Sequence, residues 1–354
     1  MLKLNFSKPL IKITFFFLLN MNLFLLVPLG NLLTGCNTTD PTDDLKPGRR
    51  DYTWTVDTLN IPFTTLQRIW GSSPTDVWAI GPGGDADKTI FHFDGKNWVN
   101  DGISRPLSPT SLFGFSNSEV WIGGRGGNIW RFDGFDWSSH TQIIIPGFNE
   151  IGLEDIWGET SSNIFAAGYS ANGSTYKSCL VWFNGTDWKI LSDTLNEQSV
   201  VKIRKGWKTG SELFLLTIKF GQYSSDSMYI YGYTNNKFNL KYKSTSTQIE
   251  SISDEIYFID NNRILKFDSY GNTENIVTIN NESFGRAFWG RTRKDIFFRM
   301  TDGITHFNGN DLVYLLNFEH SISISSCIIF EKEIIFLAYD FNKSINLIIK
   351  GKFF

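Results

Sequence analysis

The sequence is poor in the residues that most often carry chemistry. Its 354 residues include three cysteines and four histidines. There is no CxxC and no paired Cys/His spacing, so neither a zinc site nor a dithiol redox centre has a motif to rest on. HExxH, GxSxG and GxxxxGK are all absent. The Gly-rich run Gly123-Gly124-Arg125-Gly126-Gly127 has no helix after it, and reads as a tight loop rather than a phosphate cradle. The formal charge is −3, with no basic stripe, which disfavours nucleic acid as a partner. Long apolar runs are missing after residue 50. The only one is residues 13–29.

What the chain does have is repetition. Residues 66–98 read LQRIWGSSPTDVWAIGPGGDADKTIFHFDGKNW. The same parts return over 111–137 and 153–188, and a late copy covers 286–309. Gly71, Gly114 and Gly158 close the first block of successive copies at spacings of 43 and 44 residues. A period of that size marks a stacked or circular array of supersecondary units. Each unit holds three or four short runs of Ile, Val, Phe and Trp. In the first copy they are strands at 66–70, 76–80, 89–93 and 97–99, too short for helices and suited to a half-buried pleat. Phe-Asp-Gly (93–95 and 132–134) and Phe-Asn-Gly (183–185) separate the third run from the fourth, a strong hairpin signal.

Each unit is therefore an antiparallel meander of four strands. One such sheet cannot bury both faces, whereas sheets packed face to face around an axis can. The expected fold is all-β, a single β-propeller. Seven units are counted, with six and eight also compatible because the pattern decays after residue 188. Tryptophans at equivalent positions (70, 157 and 289; 78 and 121; 98, 137 and 188) suit the wedges between blades. Residues 51–60 look like a lone fourth strand, with Trp54 in the place of Trp98, while the chain stops after a third strand. The two ends interlock, and 52–58 is expected to pair beside 346–350, closing the ring and hiding two open edges. Cys179 and Cys327 fall in different units and are expected as buried free thiols rather than a disulfide.

Residues 1–35 stand apart. Lys3, Lys8 and Lys12 precede the apolar run, and Leu33-Thr34-Gly35-Cys36 follows it, the layout of a secretory signal. An uncleaved anchor helix is the alternative, but Asn20 and Asn22 interrupt the run. The ending resembles the bacterial lipobox: Leu33, Thr34 and Gly35 match its permissive positions, and Cys36 matches the lipid acceptor. That resemblance implies a signal peptide over 1–35 and an acyl anchor on Cys36. Residues 36–50, polar and with two prolines, would be a flexible tether, and 51–354 the propeller. Asn37 after the cysteine resembles outer-membrane sorting, and the implied location is the cell envelope.

The recurring acids (Asp94, Asp133 and Asp268; Asp76, Glu119 and Asp295) read as structural, because catalysis needs one constellation and a fold needs one turn per blade. His92 and His306 occupy a repeat position where other copies have Arg131, Trp182 and Lys266, a tolerant position. The lengthened loops, by contrast, collect on one face: 82–88, 169–178 and 221–227 between second and third strands, 101–110 and 138–152 between units. Insertions gathered on one face of an array point to its binding side. The candidate contacts there are Asp85, Asp87, Arg105, Arg125, Phe148, Tyr169, Asn172, Tyr176 and Tyr223. Arg68 and Asp155, at equivalent first-strand positions, are expected to line the central channel.

The repeat L-x-x-I-W-G…D-V-W-A-I-G…I-x-H-F-D-G-x-x-W resembles the repeats of bacterial β-propeller lipoproteins, and is similar to the tectonin repeat. The resemblance implies a non-catalytic recognition module, without cofactor or metal, whose ligand is a glycan or an envelope protein. Tectonin sugar-binding residues transfer to no position here. The Asp-box of sialidases is unmatched. A polysaccharide lyase or glycosidase on the same scaffold is the alternative, and a structural subunit of an envelope assembly is a third reading.

Overall fold

The computed structural model describes residues 46–354 except 62, 192–194, 207, 210–211, 221–225 and 245–247. Its strands form seven sheets of four, all antiparallel. Blade 1 holds β2 (Arg68–Ser73), β3 (Asp76–Ile80), β4 (Ile90–Phe93) and β5 (Trp98–Val99). Blade 2 holds β6 (Pro109–Ser116), β7 (Glu119–Gly124), β8 (Asn128–Phe132) and β9 (Trp137–Gln142). Blade 3 has the longest strands: β10 (Glu150–Thr160), β11 (Asn163–Asn172), β12 (Thr175–Phe183) and the short β13 (Trp188–Ile190). Blade 4 runs β14 (Ser199–Gly206), β15 (Glu212–Lys219), β16 (Ser227–Thr234) and β17 (Lys237–Ser244). Blade 5 runs β18 (Ile249–Ile252), β19 (Glu255–Asp260), β20 (Arg263–Phe267) and β21 (Thr273–Thr278). Blade 6 runs β22 (Phe284–Thr292), β23 (Asp295–Met300), β24 (Gly303–Phe307) and β25 (Leu312–Asn317). Blade 7 takes β26 (Ile322–Ile329), β27 (Glu333–Asp340) and β28 (Ile345–Lys352) from the C-terminal end, and β1 (Thr53–Leu59) from the other. The fold is a seven-bladed β-propeller.

The ring closes as the two chain ends suggest. β1 runs antiparallel to β28 from Thr53↔Lys352 to Leu59↔Asn346, two residues longer than the expected pairing at the C-terminal side. Trp54 stands directly opposite Gly351, where any Cβ would fall 2.6 Å from its ring. Before the strand, residues 48–50 are strapped across blade 6. The Gly48 amide donates to the Lys294 carbonyl at 2.8 Å, and Arg50 donates to His306 Nδ1 at 3.3 Å and pairs with Asp311 at 2.9 Å.

The hydrophobic residues sort by strand period. In β3, Val77 and Ala79 join Ile335, Leu337 and Ile348 of blade 7, while Trp78 and Ile80 join Val120, Ile122 and Trp137 of blade 2. In β11, Ile164 and Ala166 face blade 2, and Phe165 and Ala167 face blade 4. Successive side chains point to opposite faces of a strand, so each blade feeds two cores. Seven such cores exist, each shared by two neighbouring blades. Cys179 on β12 is buried, Cys327 on β26 is half-buried, and both are free thiols.

Two sets of polar contacts repeat around this frame. The residue opening each second strand pairs across its sheet. Asp76 meets His92 at 2.6 Å, Glu119 meets Arg131 at 3.4 Å, Glu255 meets Lys266 at 2.9 Å and Asp295 meets His306 at 2.7 Å. In blade 3 an uncharged version appears, Trp182 Nε1 donating to Asn163 Oδ1 at 2.7 Å. In blade 4 the partner of Glu212 is Lys241, from the fourth strand, at 2.7 Å. The acids and the tolerant position next to them are thus two halves of one device. The second set is the turn between third and fourth strands. Asp133 Oδ1 accepts the amides of Phe135 and Asp136 at 2.9 and 3.0 Å, and Gly134 sits at φ +100°. The Asp is there as a side-chain acceptor that mimics a turn. Of the two turn residues, only the glycine takes positive φ.

Candidate functional site

First and second strands, and third and fourth, are joined by short turns on one face of the ring. The other face carries the long loops, and there blade 3 projects furthest, since β11 and β12 pair from Ile164↔Phe183 out to Asn172↔Thr175. On that hairpin the Tyr169 and Tyr176 rings lie 5.8 Å apart, and Tyr176 meets Phe220 of blade 4 edge-on at 5.4 Å. Tyr176 and Phe220 are 41% and 42% exposed, high for large apolar rings held in place by neighbours. The Tyr169 hydroxyl donates to Glu150 Oε1 at 2.9 Å. Burial and then that carboxylate push its pKa up to about 12, so it stays a neutral donor. Asn172 at the hairpin's end donates to the Gly147 carbonyl at 3.0 Å, and the Asn149 amide to the Ala171 carbonyl at 3.1 Å. These bonds fasten the preceding loop, with half-buried Phe148, against the hairpin. Arg125 is exposed, bridges Gly152 through its backbone, and its charge reaches Tyr169. Arg125, Phe148, Tyr169, Asn172 and Tyr176 are therefore gathered around one hairpin.

The outer edge of β12 adds a backbone feature. β13 pairs only with residues 181–183, and residues 175–177 of β12 have no strand partner on that side among the described residues. The edge lies beside the exposed Tyr176.

The other candidates lie elsewhere. Asp85 pairs with Lys88 at 2.8 Å, and the Asp87 carbonyl accepts Asn100 Nδ2 at 2.5 Å. Arg105 is buried against the Asp101 carboxylate and donates to the Ile103 carbonyl at 3.1 Å. All three are engaged in holding the loops of blade 1. Tyr223 and Cys36 lie outside the described residues.

Arg68 and Asp155 are on the innermost strands, β2 and β10. Asp155 Oδ2 accepts the Ile203 amide at 2.8 Å and Arg204 at 3.0 Å, stitching blade 3 to blade 4. Arg204 continues to Glu250 of blade 5 at 2.7 Å. Burial opposes charge on Arg204, but Glu250 and Asp155 hold its pKa above the ordinary value. Similar stitches join other inner strands: Thr110 to the Leu153 carbonyl at 2.6 Å, Gln248 to both backbone groups of Phe288 at 2.9 Å, and Ser326 to the Ile69 amide at 3.4 Å. Arg204, Glu250, Lys202 and Phe220 did not stand out in the sequence. Blades 4 and 5 lack the glycines that would have registered their first strands against the others. Among the described residues, no group of three His, Cys, Asp or Glu side chains could hold a metal ion.

No protein-family model matches this chain, and neither does any curated protein. Solved structures do share its fold. A structure of YCF48 bound to D1 peptide is 13% identical, with a TM-score of 0.60, covering 86% of this chain and 98% of the other. A catalytically inactive virginiamycin B lyase from Staphylococcus aureus, with quinupristin, is 15% identical with a TM-score of 0.64, covering 86% and 100%. The WD40 β-propeller domain of Doa1 is 14% identical with a TM-score of 0.58, covering 85% and 97%. At such identities the likeness extends to the propeller scaffold alone.

Proposed function

We propose that this chain is a lipid-anchored envelope propeller, tethered through Cys36 at the outer membrane, which recognises an extended peptide segment of another envelope protein and performs no catalysis. The observation that carries the reading is the aromatic ledge of Tyr169, Tyr176 and Phe220 beside the open edge of β12. An exposed edge offers main-chain hydrogen bonds to an added strand, and rings beside it offer a seat for an apolar side chain. Aromatic residues clustered this way dominate binding energy when a partner covers them. A similar propeller, YCF48, was captured with a peptide, which is consistent with this use of the scaffold. The open edge favours a peptide over a glycan, because a saccharide would use the rings and leave the edge unpaired.

The test is a tiled array of envelope-protein peptides, run beside a glycan array, with the detergent-solubilised chain. Peptide hits are expected, with Tyr176→Ala and Phe220→Ala each weakening affinity at least tenfold, about 1.4 kcal/mol. Hits on the glycan array alone would shift the ligand class. Peptide binding untouched by both substitutions would remove the ledge from the account.

A further inference from the structure

A groove lies between blades 1 and 2, beside the outer strand β5 and the turn that joins β8 to β9. Its volume is about 260 Å³. Its floor is aromatic, made by Trp78, His92, Phe132 and Trp137. Trp78 stacks on His92 at 4.0 Å, meets Trp137 edge-on at 5.3 Å and lies 4.9 Å from Phe132. Val99, Ile103 and Phe135 form the rim, exposed by 47%, 50% and 89%. Apolar side chains scattered singly on a surface are ordinary, but three around one cavity mark a contact surface.

The polar groups lining the groove favour a donor. Asn100 gives its amide nitrogen to the Asp87 carbonyl at 2.5 Å, which leaves Oδ1 as an acceptor. Asp101 is satisfied by Arg105 and by the Ile103 amide, each at 3.0 Å, so its charge is cancelled. His92 is held by Asp76 at 2.6 Å. The indole N–H groups of Trp78 and Trp137 are closed to solvent and cannot reach a ligand. Asp136 is exposed and donates its backbone amide to Asp133 at 3.0 Å, while its carboxylate has no partner among the described residues. No lysine or arginine belongs to the described lining. The groove thus offers ring faces, one uncancelled carboxylate and an amide oxygen, with no cation of its own.

We propose that this groove seats one arginine side chain of a partner protein, its guanidinium over the aromatic floor and its N–H groups turned to Asp136. Cations are attracted to ring faces, and a planar guanidinium stacks on rings while donating within its own plane, which a lysine ammonium cannot do. The volume falls below the roughly 300–1,000 Å³ of small-molecule sites and suits a single side chain. The groove shares no residue with the ledge on blade 3, so each can fail without the other.

Saturation-transfer NMR on the full chain in nanodiscs of zwitterionic lipid, with empty nanodiscs as the blank, tests this with acetyl-Gly-Arg-Gly-amide and its neutral citrulline counterpart. Saturable millimolar binding of the arginine peptide is expected, with the citrulline peptide roughly fivefold weaker because the cation–π attraction is lost. Phe135→Ala and Asp136→Asn, both at exposed positions, are each expected to weaken binding roughly threefold, the scale of a solvent-exposed contact. Asp187→Asn, at the same turn position of blade 3, leaves it unchanged. The proposal is overturned if the arginine peptide does not bind saturably, if citrulline matches it, or if either groove variant binds as tightly as the wild type. Binding of methyl β-glucoside in place of the peptide would make the groove a saccharide seat, and self-association lost in Phe135→Ala would make it a contact between copies; either result also overturns it.

Discussion

The closure of the ring can be tested where β1 meets β28, at the pair Trp54 and Gly351. Trp54 packs 5.4 Å from Tyr52 and 6.3 Å from Phe336, and joins the core between blades 6 and 7. A half-buried indole removes on the order of 100 Å² from water, so at ~25 cal/mol per Å² Trp54→Ala should cost roughly 3 kcal/mol. The informative variant is Gly351→Ala. An added Cβ would meet three ring atoms of Trp54 at 2.6, 2.8 and 2.9 Å, distances at which the ring must move. Overpacking of this kind costs about 1–3 kcal/mol. In a Trp54→Ala background the obstacle is gone. Alanine should then be better than glycine in a strand by roughly 0.5–1 kcal/mol, because glycine loses more freedom on folding. The sign of Gly351→Ala should therefore reverse between the two backgrounds, with a coupling of about 2–4 kcal/mol from the double-mutant cycle. Urea unfolding followed by circular dichroism measures all four proteins. If Gly351→Ala destabilises both backgrounds equally, Trp54 does not cover β28 in solution and the closure through the N-terminal strand is wrong.

Two further outcomes follow from named groups. Burial opposes the charge on Asp295, yet His306 and Arg291 hold its pKa below the ordinary value, at contacts of 2.7 and 2.6 Å. A carboxylate with a depressed folded pKa stabilises the fold above its unfolded value near 3.9, and that contribution is lost as pH falls through the folded value. Asp295→Asn should lower stability at pH 7 and flatten the acid limb of the stability profile below about pH 4, and an unchanged acid limb would count against the pairing. For the anchor, cells fed a clickable fatty acid should label the wild-type chain and not Cys36→Ser; label retained in Cys36→Ser would place the acyl chain elsewhere.

Much of the architecture could be read from residues 66–98 and their copies, because a propeller repeats the same physical problem in every blade. The second strand of the first copy runs from Asp76 to Ile80 as expected, and the fourth, expected over 97–99, begins one residue later, at Trp98. The two unmatched ends forecast their own pairing. What could not be read was anything that depends on register between strands. His92 looked like a residue at an indifferent position, yet it stacks on Trp78 at 4.0 Å and bonds Asp76 sixteen residues earlier. The partner exchange among His, Arg, Trp and Lys at that position looks like tolerance until the acid or amide opposite is seen. Likewise Phe220 and Tyr176 belong to different blades, 44 residues apart, and only the curvature of the ring brings their rings into contact.

Repetition also separates scaffold from function by a physical criterion. A contact that recurs blade after blade serves folding, because every blade must close its third turn, pair its second strand and stitch its inner strand to a neighbour. Asp133, His306 and Asp155 meet that description, whatever their chemical promise in isolation. The ledge on blade 3 does not, for there the central hairpin runs out to Asn172↔Thr175 and its Tyr176 ring meets the exposed Phe220 ring of the next blade. The assembly of the ring does not require this feature, and its solvent-exposed rings have a cost that folding alone gives no reason to retain. A bound partner would recover that cost, and this is the ground for proposing the blade 3 hairpin, rather than the regularly repeated acids, as the recognition surface.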